Sequence, residues 1–181
     1  GIALTLEVID DLPAVSGTAA DSAAALDEAN LTDGTSPNSA ALSTTGDLSS
    51  LANIDYGADG FGAVTGVNIN SLPVAGFTPG DTIYISQADV VDSALSASTT
   101  SGANDRATLQ VNADGSYTFT LTDNFLLSDP SDPTAQTEDI SSLLGGITVF
   151  AEDGDGDQVN SGAGIALTLE VIDDLPAVSG T

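Results

Sequence analysis

An exact internal repeat constrains this chain more than any other feature of its sequence. The 18 residues at positions 1–18 return unchanged at 164–181, so the repeat period is 163 residues. Identity over 18 positions does not arise by chance, and we therefore predict that the chain is a piece of a tandem array. Near-identical adjacent modules indicate selection for the length of the array or the number of copies, and they argue against a dedicated active site.

The module boundary is predicted from the Asp-Asp-Leu-Pro step inside the repeat. Pro13 cannot continue a central strand, and it holds Leu12 in an extended conformation. We therefore expect residues 1–11 to be the last strand of a preceding module, residues 12–174 to be one complete module, and residues 175–181 to begin the next.

Side chains that alternate between apolar and polar predict an all-β fold. Period-two alternation is typical of strands with one buried face, and Gly, Asp, Ser and Pro separate the runs. The runs fall at 2–9, 83–85, 108–111, 117–121, 147–149 and 165–172. Seven or more short strands of this kind indicate an antiparallel β-sandwich.

Local signals refine this prediction. The sequence Asn-Ala-Asp-Gly at 112–115 predicts a β-hairpin over 107–122, with Asp114 as a turn residue. Residues 19–29 have the propensity for a short helix capped by Asp21 or Ser22, and 141–144 for a single turn. The polar stretches 30–62 and 86–106 are expected to be ordered loops or small inserted strands.

The charge balance excludes several functions. The chain has 27 acidic residues, one basic residue and no His, for a formal net charge of -26. Nucleic-acid binding and attachment to anionic lipid both need Lys and Arg, so neither partner is expected. Without Cys, His or Lys, chemistry based on those side chains and His/Cys zinc sites are excluded. No run of about 18 apolar residues predicts insertion into a membrane.

One acidic motif predicts a cation site. Asp153, Asp155 and Asp157 alternate with Gly, so a tight loop can turn their carboxylates toward one centre. A hard cation that takes six to eight oxygens would relieve their repulsion, and Ca²⁺ fits better than Mg²⁺, which prefers strict octahedra. The spacing is not that of an EF-hand, because Gln158 replaces its Gly and Gly164 replaces its Glu. The alternative is a solvated acidic turn.

Other acidic groups are weaker candidates for the same cation. They are the pair Asp10 and Asp11, its copy Asp173 and Asp174, the pair Asp27 and Glu28, and the residues Asp55 and Asp59. For Asp55 and Asp59 an ordinary Gly-rich turn is an equal alternative. Asp129 and Asp132 each precede a Pro and are predicted to form turns.

Strand direction predicts where these groups lie. In a seven-stranded sandwich with alternating directions, the loop at 153–157 falls beside Asp10 and Asp11 at one end of the module. The turn with Asp27 and Glu28 falls beside the copied pair at the other end. Each joint of an array would then combine acids from two modules.

The same motifs carry a family resemblance. The chain resembles the tandem extender repeats of giant RTX adhesins that Gram-negative bacteria export by type I secretion. The resemblance covers most of the module, and the motifs are LDEANL (26–31), DYGADGFG (55–62), NADGSYTFTL (112–121), AEDGDGDQV (151–159) and LTLEVIDDLP (167–176). It implies an Ig-like or cadherin-like sandwich, Ca²⁺ at domain junctions and an extracellular spacer. The ligands that it implies are Glu28, Asp153, Asp155, Asp157, Asp173 and Asp174.

Three functions are compatible with the sequence. The first is a non-catalytic structural module whose partners are neighbouring copies in the same chain, the fragment itself being monomeric. The second is a Ca²⁺-dependent carbohydrate- or cell-binding module, with Tyr56, Phe61, Phe77 and Tyr84 as the available aromatic platform. The third is a glycosidase, which low aromatic content and tandem identity disfavour.

Overall fold

Strands make up most of the ordered structure. The computed structural model describes residues 3–7, 9–127 and 137–174. The helical elements in these ranges are α1 (Ile140–Leu143) and 3-10 turns at Glu28–Asn30, Ser39–Ala41, Leu48–Ser50 and Val159–Gly162. The strands are β1 (Ala14–Val15), β2 (Ala20–Ser22), β3 (Leu26–Asp27), β4 (Ser43–Asp47), β5 (Ile54–Asp55), β6 (Phe61–Ile69), β7 (Leu72–Pro73), β8 (Thr82–Gln87), β9 (Leu95–Ser98), β10 (Asp105–Val111), β11 (Ser116–Leu121), β12 (Thr137–Asp139), β13 (Ile147–Asp153), β14 (Ile165–Thr168) and β15 (Glu170–Ile172).

Two five-stranded sheets form the body of the molecule. One has the strand order β4-β11-β10-β8-β9, and the other has the order β2-β14-β13-β6-β7. Apolar side chains from both sheets belong to one hydrophobic core, among them Ile83, Leu109 and Phe119 from the first and Val67 and Val149 from the second. Two smaller sheets, β12-β15-β3 and β1-β5, complete the fold. The all-β sandwich predicted from the alternation is confirmed.

The predicted hairpin is present. Strands β10 and β11 pair antiparallel, with Val111 opposite Tyr117. The turn is closed by Asp114, whose Oδ1 accepts a hydrogen bond from the Ser116 amide at 3.0 Å. Gly115 has a φ of 87°, which glycine adopts without strain. The turn predicted at 141–144 is also present as α1, and β4, β5 and β9 are the small strands expected in the long polar stretches.

The helix considered for residues 19–29 is wrong. This segment forms β2 and β3, followed by a 3-10 turn over Glu28–Asn30. Both strands pair parallel with the end of the chain, β2 with β14 and β3 with β15. The pairing with β14 continues on either side of β2, through bonds from the Ala166 amide to the Ala19 carbonyl and from the Ala23 amide to the Thr168 carbonyl. Backbone pairing with distant strands has overridden a weak local helix propensity. These two pairings also make the sandwich mixed and not purely antiparallel.

The run at 165–172 serves two sheets. Its first half, β14, lies between β13 and β2, and its second half, β15, lies between β12 and β3. Leu169 stands at the step between them, fully buried, and its carbonyl accepts a hydrogen bond from the Ile140 amide. The single strand expected here is therefore two short strands.

The first copy of the repeat behaves differently. Residues 3–7, 9 and 10 form no strand, and Leu4, Leu6 and Ile9 are largely exposed. The predicted strand is therefore not formed by these residues, because the positions beside β13, β2, β12 and β3 are taken by 165–172. Asp129, Asp132 and residues 175–181 lie outside the described residues. Within the described ranges, no helix is long and apolar enough to cross a membrane.

Candidate functional site

The acidic residues gather at two ends of the sandwich. Ile147 of β13 lies opposite Leu167 of β14, and the two strands run antiparallel. From that pair, β13 leads to Asp153 in one direction, whereas β14 and β15 lead to Asp173 in the other. Each path is six residues long. At about 3.3 Å per residue, Asp153 and Asp173 can lie up to roughly 40 Å apart.

The first acidic cluster consists of Asp10, Asp153, Asp155 and Asp157. One carboxylate oxygen from each of Asp10, Asp155 and Asp157 lies within 4.8 Å of the others. It is the one set of three acidic side chains in the described part of the chain that meets so closely. Oxygens on opposite sides of a Ca²⁺ ion, bound at about 2.4 Å, are separated by about the same distance. The spacing therefore fits one hard cation.

Asp153 organises the loop of this cluster. It ends β13 with 2% of its surface exposed, and its Oδ1 accepts bonds from the amides of Asp155, Gly156 and Asp157 at 3.3, 3.1 and 2.8 Å. Within the described residues, its other oxygen, Oδ2, is buried without a hydrogen-bond partner, and so is Oδ2 of Asp157. Buried carboxylate oxygens need a partner, and a bound cation would supply one.

The carboxylates of this cluster repel one another, and their pKa values are shifted. A hydrogen bond with Asp153, then burial, then the charges of Asp10, Asp153 and Asp157 raise the pKa of Asp155 to about 6. Burial, a hydrogen bond with Asp10 and nearby negative charges raise the pKa of Asp157. Burial opposes the ionisation of Asp153, yet its amide donors and a hydrogen bond with the Asp155 side chain together outweigh that effect and lower its pKa. The arrangement thus disfavours full ionisation unless positive charge is supplied.

Asp11, Asp55 and Asp59 lie around the first acidic cluster. Asp11 Oδ2 accepts a bond from the Ala58 amide at 3.0 Å, which ties the first copy of the repeat to the turn after β5. Asp55 Oδ1 accepts from the Gly57 amide at 3.0 Å, as in an ordinary Asx turn. The Asp59 charge contributes to the raised pKa of Asp157.

Close backbone packing fixes this neighbourhood. A Cβ on Gly62 would lie 1.9 Å from the Asp153 carbonyl oxygen, and one on Gly154 would lie 2.5 Å from the Asp59 carbonyl oxygen. Gly62 therefore lets the start of β6 pack against the end of β13, and Gly154 lets the loop after β13 pack against the turn after β5.

The second acidic cluster consists of Glu28, Asp33, Asp173 and Asp174. Glu28 is 4% exposed, and its Oε1 accepts a bond from the Phe125 amide at 2.6 Å. Burial is the largest influence on this carboxyl, the charge of Asp173 adds to it, and together they raise its pKa to about 7. At neutral pH, the charged and uncharged forms of the Glu28 carboxyl are therefore both present.

Asp174 closes this cluster from the other side. Its two carboxylate oxygens accept bonds from the Thr35 amide at 2.7 Å and the Thr35 hydroxyl at 2.6 Å. Gly34 lets the loop before Thr35 pack on the 3-10 turn at Glu28–Asn30, because a Cβ there would lie 2.6 Å from the Glu28 carbonyl oxygen. The residues surround a cavity of about 220 Å³, lined by Glu28, Leu31, Asp33, Gly34, Asn124, Asp173 and Asp174.

Sequence reasoning placed some of these residues and missed others. The structure brings Glu28 beside Asp173 and Asp174, and Asp10 beside Asp155 and Asp157. The carboxylate of Asp27 instead caps its own turn, accepting from the Ala29 amide at 2.9 Å. Asp33 and Asn124 were not predicted to line the cavity. The Asp33-Gly34 pair that follows LDEANL was the available signal for the first of them.

The protein supplies no positively charged side chain to either acidic cluster. Its only basic side chain, Arg106, is buried and pairs with Asp89 and with Asp123, the latter at 2.6 Å. The charge of both clusters can therefore be neutralised only by protons or by cations from solution.

The aromatic residue beside the first acidic cluster does not form an exposed platform. Tyr56 is buried, packs edge to face on Phe61 at 5.2 Å and donates its hydroxyl to the Leu48 carbonyl at 2.6 Å. Its ring supports the core beneath the turn at 57–60 and is not free to stack on a sugar.

The chain matches no protein-family model, and no curated protein matches it.

Proposed function

We propose that this chain is a non-catalytic extender module of a large, repetitive bacterial surface adhesin, folded and stiffened by Ca²⁺ at the joints between modules. Each joint would hold its cation between acids of two successive modules. The array would project a terminal binding domain away from a Gram-negative cell.

One observation carries this proposal. The repeated Asp-Asp pair lies against different acids in its two copies: Asp10 faces Asp155 and Asp157, whereas Asp173 faces Glu28. In a continuous array a single pair would face both sets at once. Carboxylates from the end of one module and the start of the next would then surround the same space, with enough oxygens for Ca²⁺.

The acid content supports a calcium-controlled spacer in particular. A net charge of -26 on 181 residues loosens a compact state through self-repulsion when no counterion is bound. Extracellular modules bind Ca²⁺ in the range of about 0.1 to 1 mM, so such a chain would stay loose in the cytosol and fold outside. That behaviour suits export through a channel.

The test compares the chain in EDTA and in about 1 mM CaCl₂ by thermal melting. We expect a rise in Tm of about 1–5 °C with calcium, the equivalent of about 0.4–1.4 kcal/mol for one site of that affinity in a chain of this size. The variant Asp157→Asn, which removes one carboxylate from the first acidic cluster, should lose most of the rise.

The matched control is Asp114→Asn, which changes an acid in the hairpin turn and should keep the whole calcium response. An unchanged Tm in the unsubstituted chain would sink the proposal. An equal loss in Asp114→Asn would show that calcium acts only through net charge.

A further inference from the structure

Residues 3–7, 9 and 10 of the first repeat copy contain apolar side chains and have no strand partner. Leu4, Leu6 and Ile9 are 81%, 84% and 87% exposed. In the second copy the leucines equivalent to the first two, Leu167 and Leu169, are buried in the core. The same sequence is therefore presented to solvent in one place and held in a slot in the other.

The slot is the space that β14 and β15 occupy. It lies between β13 and β2 at one level and between β12 and β3 at the next. Its contacts are ladder hydrogen bonds, the bond from the Ile140 amide to the Leu169 carbonyl, and the two buried leucines. The residues that make these contacts have the same sequence in the first copy, so the slot cannot distinguish one copy from the other.

A chain cannot place its first copy in its own slot. In the slot, Asp11 would take the position of Asp174, beside Thr35 at the second acidic cluster. Ala14 however pairs with Asp55 in β1-β5, beside the first acidic cluster. Only Leu12 and Pro13 connect Asp11 to Ala14, and three residue steps reach roughly 11 Å. The strand path between the two clusters is far longer, because six residues of β13 and six of β14 and β15 lead away from the pair of Ile147 and Leu167 in opposite directions.

We propose that residues 1–11 of one chain occupy the slot of a second copy of the chain, in place of that copy's own residues 164–174. The donor's residues 12–18 then lead directly into its own module. The exchanged joint has the same unbroken sequence as the repeat, so chains join head to tail without a covalent link. This goes beyond the calcium-bound spacer, because backbone pairing and leucine burial drive it.

The resident segment normally prevents this exchange. It is attached to its own slot, so its effective concentration exceeds that of a free second chain, and exchange replaces one strand with an identical one. The unsubstituted chain should therefore be monomeric in dilute solution. Exchange becomes visible when the resident segment alone is damaged, and the duplicated sequence makes this possible.

The experiment compares Leu169→Asp with Leu6→Asp in the full chain. An Asp at the buried position expels the resident segment, whereas the same change in the exposed copy leaves the slot filled. We expect Leu169→Asp to form head-to-tail oligomers, with a weight-average mass by light scattering that rises with concentration to about twice the monomer mass or more. We expect Leu6→Asp to stay monomeric and folded.

The double variant and a peptide complete the test. The double variant Leu6→Asp with Leu169→Asp lacks any competent segment and should remain monomeric and poorly folded by circular dichroism. A peptide of residues 1–11 should convert the Leu169→Asp oligomers to folded monomers, and the same peptide carrying Leu6→Asp should not.

The proposal is overturned if Leu169→Asp stays monomeric at every concentration and ignores the peptide, or if the double variant assembles equally. All samples contain the same CaCl₂ concentration, so failure of the calcium proposal leaves this comparison intact.

Discussion

The two copies of the repeat carry one sequence in two structures. In the second copy, residues 165–168 and 170–172 are strands of two different sheets, and Leu167 is buried. In the first, residues 3–7 form no strand, and Leu4 is exposed. Alternation of polarity specifies which face of a segment is apolar, but a strand also needs partners for its backbone and a surface to cover that face.

The aspartates differ between the copies in the same way. Both carboxylate oxygens of Asp174 accept hydrogen bonds from Thr35, whereas Asp11 accepts a single bond from the Ala58 amide. The same Asp of the repeat therefore binds different partners at the end of a module and at its start. Substitutions at equivalent positions separate what the sequence contributes from what its surroundings contribute.

The largest difference is expected for the leucines. Leu167→Ala removes a buried side chain from the core and should lower the free energy of unfolding by about 3 kcal/mol. Leu4→Ala changes the same sequence position where it is exposed, and the effect should stay within about 0.5 kcal/mol. Urea unfolding followed by circular dichroism measures both. Equal effects at the two positions would mean that the first copy is also packed.

A second difference concerns the acids beside each Asp pair, which are Asp155 and Asp157 for the first copy and Glu28 for the second. Glu28 should give the clearer dependence of stability on pH. Its pKa is raised to about 7 in the folded chain, so between its ordinary value of 4.5 and about 7 the folded state holds a proton that the unfolded state has released. The free energy of unfolding therefore falls as the pH rises through this window.

Glu28→Gln keeps an acceptor for the Phe125 amide and removes this titration. In EDTA the variant should match the unsubstituted chain at about pH 4 and exceed it in stability by about 2 kcal/mol at about pH 8. If Ca²⁺ binds at this end of the module, millimolar calcium should reduce this difference at about pH 8, because it stabilises only the chain that keeps the Glu28 carboxylate. The comparison uses urea midpoints across the pH range. A constant offset at all pH values would contradict the buried, titrating carboxyl.

The sequence predicts the local parts of this fold well and the distant pairings poorly. The hairpin of β10 and β11 follows from alternation and a turn signal that are adjacent in the chain. By contrast, β2 and β3 pair with strands more than a hundred residues away. Nothing in the sequence of residues 19–29 predicts this pairing. Local helix propensity is a weak predictor, and hydrogen bonding to a parallel neighbouring strand outweighs it.

The same limit applies to the candidate sites. The alternating carboxylates of 153–157 are visible in the sequence because one loop supplies them. The cavity beside Glu28 depends on Asp33, Asn124 and Asp174, which three separate segments contribute. Only the pairing of β15 with β3 brings Asp174 to the Thr35 amide, and no spacing in the sequence encodes that contact.

The smallest difference is expected for the aspartates themselves. Asp174→Ala removes two hydrogen bonds to Thr35 and should cost about 1 kcal/mol in EDTA, since both groups are partly solvated. Asp11→Ala removes the single bond to the Ala58 amide and should cost about half as much. Urea midpoints measured under identical conditions resolve the two, and Asp174→Asn, which retains one acceptor oxygen, should fall between them. Equal losses for Asp11→Ala and Asp174→Ala would contradict a role for the hydrogen bonds, because the number of bonds is what differs between the two positions.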